Sequence, residues 1–301
     1  MKKFKKTLSK YKVLIFMSLI PLALLVIFRY LPMYGIQIAF RDYKPLTSIN
    51  SGDWVGLKYF GEFFEYYKFD ELIKNTIILN LYDIALTPMP LFFALCVRYL
   101  PFKRLSDFIQ NIAIMPHFLS VVILCSIVMR FLSVGGPING IAMALGAESE
   151  NYLTRGEYFY SIYVWSGVWQ NMGYSAIIYS SALSDVPKEL YEAAEVDGAN
   201  IFKKWIYIDL PTLLPLFAVE LMFRFGGLLS NNYEKILLLQ NNTNLKYSQV
   251  ISTYSYELAF GGLVPQYSLA TAVGLVTAVV NMIMLLVVKI LTRRWEHLDE
   301  K

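Results

Sequence analysis

Charge is scarce in this chain. Lys, Arg, Asp and Glu make up only 17% of its 301 residues, too little to solvate the surface of an ordinary soluble fold of this size. Histidine occurs twice, at His117 and His297, far apart and without ligand-spaced neighbours, which speaks against a metal site. The two cysteines, Cys96 and Cys125, both lie in apolar stretches. They form no disulfide framework and read as reduced packing residues. No Gly-x-x-x-x-Gly-Lys-Ser/Thr phosphate loop occurs, so the chain does not itself bind ATP by that route. No Ser-His-Asp arrangement has motif support. The acidic stretch Glu62, Glu65, Asp70 and Glu71 lacks partners for acid–base work and reads as a solvated face. Internal repeats, low-complexity tracts and a second soluble domain are also missing. The expectation is a chain that catalyses no covalent chemistry and binds no metal or cofactor of its own.

What is abundant is apolar surface. Hydrophobic residues make up 56% of the chain, and the mean hydropathy is +0.46. Lipid must be part of its solvent. The 22 tyrosines and 20 phenylalanines suit membrane interfaces, helix packing and sugar-stacking surfaces. The net charge of +4 is dispersed along the chain and carries no nucleic-acid signal.

The apolar runs predict an all-α integral membrane protein with six transmembrane helices. Each run has roughly 20 residues or more, the length a bilayer core of about 30 Å requires. They extend from about Val13 to Tyr34, Asn75 to Val97, Phe108 to Leu132, Tyr158 to Leu183, Tyr207 to Leu229 and Tyr267 to Leu291. Ahead of the first stand Lys2, Lys3, Lys5, Lys6, Lys10 and Lys12. That run continues past signal-peptide length with no small-residue cleavage site after it, so a retained helix behind a basic tail, residues 1–12, is expected. Residues 13–301 then form a single membrane domain.

The basic residues predict orientation. With six spans, sixteen of the 27 Lys and Arg fall on the side of the two termini, the Arg98–Arg104 loop and the Lys188–Lys204 loop. The positive-inside bias makes that side cytoplasmic, in a multi-pass protein with both ends inside. The outer loops are then residues 35–74 and 231–265. The first contains the turn-rich stretch Thr47 to Asp53, and the second a short apolar run, Ile236 to Leu239, expected to be strand-like or re-entrant.

One inner segment, within residues 184–206, looks built to be touched by another protein. It reads Tyr191-Glu192-Ala193-Ala194-Glu195-Val196-Asp197-Gly198. Ser184 and Asp185 offer caps and Pro187 a helix start. Glu189 to Glu195 are good helix formers. Ala193 and Ala194 give a small face for close approach, and Glu192 is an exposed carboxylate suited to an arginine partner. Gly198 suits a left-handed cap. Ile201 to Trp205 is a second short amphipathic piece, and Leu210-Pro211 marks re-entry into lipid. Composition alone equally allows an ordinary solvated loop.

The spacing goes further. Glu192-Ala193-Ala194, three residues, Gly198, nine residues, Ile208, one residue, then Leu210-Pro211 matches at every defined position the signature loop of bacterial ABC importer permeases. The segments FRYLPMYGIQIAF at Phe28 to Phe40, Trp54 to Phe60, Asn75-Thr76 and Ala270 to Leu275 resemble the sugar-importer permeases. They resemble the oligosaccharide and polysaccharide type, related to the maltose permease pair. The acidic C-terminal end after Lys289, Arg293 and Arg294 departs from the Asn-rich tail of many relatives.

The resemblance implies half of a type I importer in a bacterial cytoplasmic membrane. A second, similar permease would complete the pathway. Two ATP-binding subunits would dock below and use ATP and Mg, and an extracytoplasmic solute-binding lipoprotein would dock above. The coupling contact to the ATPase would be made by Glu192, Ala193, Ala194, Asp197 and Gly198, with Leu210 and Pro211 joining it to the fifth span.

Charges inside spans are costly and each needs a reason. Glu220 and Arg224, four residues apart, share a helix face and can pair. At about 1.5 Å per residue, Glu220 lies roughly 15 Å beyond Leu210, near the midplane. They line a sugar pathway or form a packing ion pair. Asp83 on the second span reaches towards another helix. Trp169, Gln170, Asn171 and Tyr174 join an indole to amides, which suits a saccharide, though an interface belt with interhelical hydrogen bonds reads as well. Asn281 suits an interhelical contact, and His117, after Pro116, a helix kink. The expected function is ATP-driven import of an oligosaccharide or complex glycan. A permease for a peptide or phosphorylated compound is the alternative. An ion-gradient transporter would leave the Glu192–Pro211 spacing unexplained.

Overall fold

The computed structural model describes residues 11–296, with side chains described through Leu291. The basic residues ahead of Tyr11, and His297, lie outside the described residues. Among those described, the regular structure is helical, and the sole β-pairing is the isolated bridge Arg41–Trp54. The contacts divide the chain into two compact units. One joins the segment up to Tyr66 with Glu257–Val276, and the other joins Tyr67–Tyr256 with the segment from Thr277 onward.

In the first unit, α1 (Lys12–Leu25) runs on through a π-helical turn, Val26–Tyr30, into a 3-10 segment, Leu31–Phe40. Only Lys12 and Arg29 carry charge between Lys12 and Phe40, and the side chains from Tyr11 to Tyr34 are exposed, as lipid contact requires. The chain then folds back. Phe40 stacks on Trp54 at 5.5 Å, and Arg41 Nη1 donates to the carbonyls of Asn50 and Gly52 at 3.1 and 3.0 Å. From α2 (Lys58–Phe64), Tyr59 donates to Asp42 at 2.8 Å. Ser268 donates to the Arg41 carbonyl at 2.7 Å and accepts from the Tyr43 N–H at 3.1 Å. The Trp54–Phe60 and Phe28–Phe40 motifs thus meet in one knot.

The second unit begins with α3 (Phe69–Ala85) and α4 (Pro88–Arg98), which interrupt each other at Leu86-Thr87. Pro88 and Pro90 lack the N–H groups that would continue the ladder. Next come α5 (Lys103–Ile114), a 3-10 turn at Met115–Phe118, α6 (Val121–Leu132) and α7 (Pro137–Ala144). The expected continuous helix from Phe108 to Leu132 is therefore two helices. Pro116 ends the first, Leu119 and Ser120 are extended, and Ser120 Oγ caps the second by accepting from the Ile123 N–H at 3.3 Å.

The long α8 (Phe159–Ser184) is followed by α9 (Lys188–Val196) and α10 (Ile201–Lys204). A π turn at Trp205–Asp209 then leads into α11 (Leu210–Gly226). The 231–265 stretch forms α12 (Tyr233–Leu239), α13 (Leu245–Ser248) and α14 (Ile251–Tyr256), so the strand-like expectation there is corrected to short helices. Asn232 nucleates α12 by accepting from the Lys235 N–H at 3.1 Å. α15 (Tyr267–Glu296) closes the chain.

Five helical stretches are long and apolar enough to cross a membrane: Lys12–Phe40, Phe69–Arg98, Val121–Ala144, Ile201–Gly226 and Tyr267–Leu291. The predicted fourth span is α8. Its 26 residues are long enough and uncharged. Gln170, Asn171 and a series of serines and tyrosines hold its hydropathy below that of the others.

α8 is also the axis of packing in this unit. Its first half puts Phe159 and Val164 into a core with Leu79, Cys125, Ile236 and Leu239. Its second half puts Ala176, Tyr179 and Leu183 into a core with Leu91, Leu95 and Leu213. Gly173 lets α8 approach α5 closely, since a Cβ there would meet the Ala113 carbonyl oxygen at 2.1 Å. Cys125 packs as expected, whereas Cys96 is exposed. Asn75-Thr76 pins α3 to the 246–251 segment. Asn75 donates to the carbonyls of Lys246 and Gln249 and accepts from Tyr160, and Thr76 Oγ1 accepts from the Ile251 N–H at 3.1 Å.

Candidate transport cavity and coupling loop

The polar middle of α8 falls between the two cores, and a cavity of about 510 Å³ opens there. That volume is in the range of small-molecule sites. Four of the six predicted pathway residues line it: Asp83, Asn171, Tyr174 and Arg224. Trp169 does not; it sits on the same helix but is 44% exposed. Glu220 is also outside the lining and acts on it through Arg224.

Asp83, Glu220 and Arg224 form one network. Arg224 Nε and Nη2 donate to Glu220 at 3.2 and 3.1 Å, the i, i+4 pair expected from spacing. Nη1 donates to Asp83, which gives that residue its interhelical partner. The other Glu220 oxygen accepts from Tyr179 at 2.5 Å. Three helices, α3, α8 and α11, are thus tied at one depth by a guanidinium with two carboxylates.

Across the cavity, His117 stacks face to face on Tyr174, with centroids 3.9 Å apart and planes 5° from parallel. Its Nδ1 lies 3.0 Å from Asn171 Oδ1. Gln170 donates to the Leu119 carbonyl at 3.2 Å and holds the broken helix against α8. His117 was expected only as a kink neighbour. The kink is what turns it into the cavity, and a histidine next to proline in an apolar run was the available signal. Asn281 bonds to the turn that follows α11 and not to a neighbouring helix, accepting from the Leu229 N–H at 2.9 Å and donating to Ser230 at 2.9 Å.

Lys235 was not expected at all. It lines the cavity and is 5% exposed. Its Nζ donates to the Tyr163 carbonyl at 2.7 Å and lies 4.6 Å from the Tyr163 ring centroid. Burial pulls the ammonium down to about 8, opposed in part by the nearby Cys125 and Asp83.

The polar loop folds as α9 with a Schellman end. The Ala199 N–H donates to the Ala194 carbonyl at 2.8 Å, the Gly198 N–H to Glu195 at 3.0 Å, and Gly198 adopts φ +70°. The proposed cap by Ser184 or Asp185 is corrected: Pro187 occupies the cap position and no side chain caps the helix. Glu192, Ala193 and Asp197 are exposed and Ala194 is half-buried. Glu195 pairs with Lys204 at 2.7 Å and braces α9 against α10.

Beneath α9 lies a carboxylate that the motif skips. Asp209, between Ile208 and Leu210, is fully buried. It accepts from Tyr191 at 2.5 Å and from Tyr99 at 2.7 Å, with Arg98 Nε at 3.9 Å. The Arg98 guanidinium lies 4.8 Å from the Tyr191 ring centroid. Burial, followed by the Asp209 bond, pushes the Tyr191 phenol up to about 12 and Tyr99 upward too, so both stay protonated donors. An aspartate between two apolar residues at a span's start was the sequence signal for this hub.

The sequence of residues 87–297 matches the family described as "Binding-protein-dependent transport system inner membrane component". The chain belongs to this family. Its members are transport components rather than catalysts. The polygalacturonan/rhamnogalacturonan transport system permease protein YteP of Bacillus subtilis (strain 168) is 35% identical over 271 residues, 89% of this chain and 84% of YteP. Protein LplB of the same strain is 35% identical over 289 residues, 94% of this chain and 89% of LplB. A chain in the crystal structure of a bacterial ABC transporter involved in the import of the acidic polysaccharide alginate superposes with a TM-score of 0.87. It has 34% identity and covers 97% of this chain and 99% of that one. A chain in the structure of the alginate transporter in complex with alginate pentasaccharide-bound periplasmic protein matches with the same score and identity. The fold of this family member is accordingly that of a type I ABC importer permease, in a multi-pass membrane protein.

Proposed function

We propose that this chain is the permease subunit of an ATP-driven importer that carries an oligosaccharide or complex glycan across the bacterial cytoplasmic membrane. The observation that carries the reading is the cavity at the middle of α8, lined by amides and by the stacked His117–Tyr174 pair inside an otherwise apolar bundle. Saccharides present apolar ring faces and hydroxyl rims, which such a lining meets. Relatives named for pectic and alginate polysaccharides support the same substrate class. A peptide cargo has no observation in its favour.

In this reading α8 is the sixth span, its polar face turned to the pathway. Asp83, Asn171, Tyr174 and Arg224 face the cargo, with Glu220 holding Arg224. Residues 13–301 serve as one permease domain, and both termini are cytoplasmic. A second permease completes the pathway and covers the exposed first span. A solute-binding protein delivers cargo from outside, and two ATPase subunits bind ATP and Mg. Glu192, Ala193, Ala194, Asp197 and Gly198 insert into the ATPase. Closure of the nucleotide sites displaces α9, and Asp209 with Leu210-Pro211 passes the displacement to α11.

The test is reconstitution of both permeases, the ATPase and the binding protein in proteoliposomes. ATP-dependent uptake of labelled trisaccharides is expected, with none for tripeptides. Uptake that persists without the ATPase, or labelling of a cysteine at position 193 from the outer face of cells, sinks the reading.

A further inference from the structure

We propose that Lys235 is a carboxylate-binding subsite of the cavity, taking the acidic group of a uronate-bearing oligosaccharide. The proposal rests on the importer reading above and narrows its substrate class.

The charges lining the cavity are unequally satisfied. Arg224 already faces two carboxylates, Asp83 and Glu220, which balance its charge. Lys235 is more deeply buried, yet among the described residues no carboxylate lies within 4.0 Å of its Nζ. An ammonium offers three donors. The Tyr163 carbonyl takes one, and the Tyr163 ring face shields another side without accepting a full bond. A buried cation left without a counter-ion is costly, and an anion arriving in the cavity relieves that cost.

The surroundings keep the ammonium reachable. A Cβ on Gly167 would lie 3.2 Å from Nζ, so the head group uses space that any other residue at position 167 would take. Gly167, Tyr163 and Lys235 all line the cavity. So does Asn231, whose Oδ1 is buried and has no hydrogen-bond partner among the described residues. A cation beside an unused amide oxygen matches a uronate ring, which carries its carboxylate next to hydroxyls. The drop of the lysine towards 8 agrees with this placement and still leaves it charged at neutral pH. The competing role is structural, with Lys235 simply fastening α12 to α8 through the Tyr163 carbonyl.

The two roles separate by binding to the purified assembled transporter, measured by equilibrium dialysis without the solute-binding protein. The probes are trigalacturonate and its carboxyl-reduced, neutral trisaccharide. Lys235→Gln should weaken trigalacturonate binding by about tenfold or more while the neutral probe changes by less than about twofold. Lys235→Arg should restore most of the loss. Gly167→Ala, a substitution that favours the helix, should press on Nζ and weaken trigalacturonate alone. Equal losses for both probes would make Lys235 structural and overturn the proposal, as would unchanged binding of both or a wild-type protein that binds neither. Uptake of neutral trisaccharides in the reconstituted system would still stand in those cases, so failure of the subsite is distinguishable from failure of the importer reading.

Discussion

Tyr191 of α9 donates its phenol to Asp209 across 2.5 Å, joining the exposed polar helix to the buried start of α11. Tyr99 donates to the same carboxylate from the end of α4. Three segments are therefore tied together at this point. Tyr191→Phe removes a hydrogen bond to a charged acceptor, worth about 1.5–3 kcal/mol. Transport should fall severalfold while the ATPase still hydrolyses ATP, because the motor is left intact and its linkage loosened. Tightly coupled transport in the variant, measured as molecules imported per ATP, would remove Asp209 from the force path.

Glu192 is exposed, and no ion pair with it occurs among the described residues. Glu192→Ala should leave membrane insertion and thermal stability unchanged, since surface substitutions usually stay within about 0.5 kcal/mol. Uptake should drop and co-purification of the ATPase should weaken. Normal values for both would count against α9 as the docking helix.

Gly198 closes α9 at φ +70°, and an added Cβ there meets nothing within 4 Å. Its requirement is thus conformational and not steric. Gly198→Ala should cost about 1 kcal/mol at the helix end, and Gly198→Asn less. Uptake should rank Gly above Asn above Ala. Equal uptake in all three would mean that the corner is not needed in the working state.

Arg224→Ala would leave Asp83 and Glu220 without their shared cation. The side chains are 30%, 39% and 25% exposed, so the loss should be about 1–2 kcal/mol, below the figure for a fully buried network. Solute preference should also change, because Arg224 lines the cavity. Adding Asp83→Asn should recover part of the lost melting temperature. A double variant no more stable than Arg224→Ala alone would show the residues to be uncoupled.

Lys235 loses its charge as pH passes about 8. The groups around it are Asp83 on α3, Cys125 on α6, Tyr163 on α8 and Arg224 on α11, and of these Cys125 and Asp83 favour the charged form. Trigalacturonate affinity should be full near pH 7 and decline from there towards pH about 9.5, with no such decline for the neutral probe. Stability has the opposite slope. The folded lysine releases its proton at about 8 and the unfolded one at 10.5, so the unfolded state holds more protons between those values and melting temperature gains as pH rises through them. Lys235→Met should abolish both trends. A wild-type affinity flat from pH 7 to about 9.5 would remove the ammonium from carboxylate recognition.

Local physics was legible in the linear chain. The apolar runs of the first and last spans, the Glu220–Arg224 spacing, the α9 helix and the Gly198 corner each depend on residues within a turn or two of one another. Backbone geometry and burial act there almost regardless of the rest of the protein. Long-range partners were not legible. That Arg224 has a second carboxylate in Asp83, 141 residues away, depends on how α3 and α11 cross. That Trp169 misses the cavity while Asn171 lines it depends on the rotation of α8 against two cores. Lys235 looked like an ordinary loop lysine until α12 carried it against Tyr163, and Asp209 looked like a spacer until two tyrosines converged on it. By itself the sequence determined a membrane-embedded helical chain with a polar, helix-forming loop, because hydropathy and helix termination are local. Only the tertiary structure decided which polar groups share a cavity and which charges lack a partner, because a buried charge is satisfied or stranded by whatever distant residue the packing brings beside it.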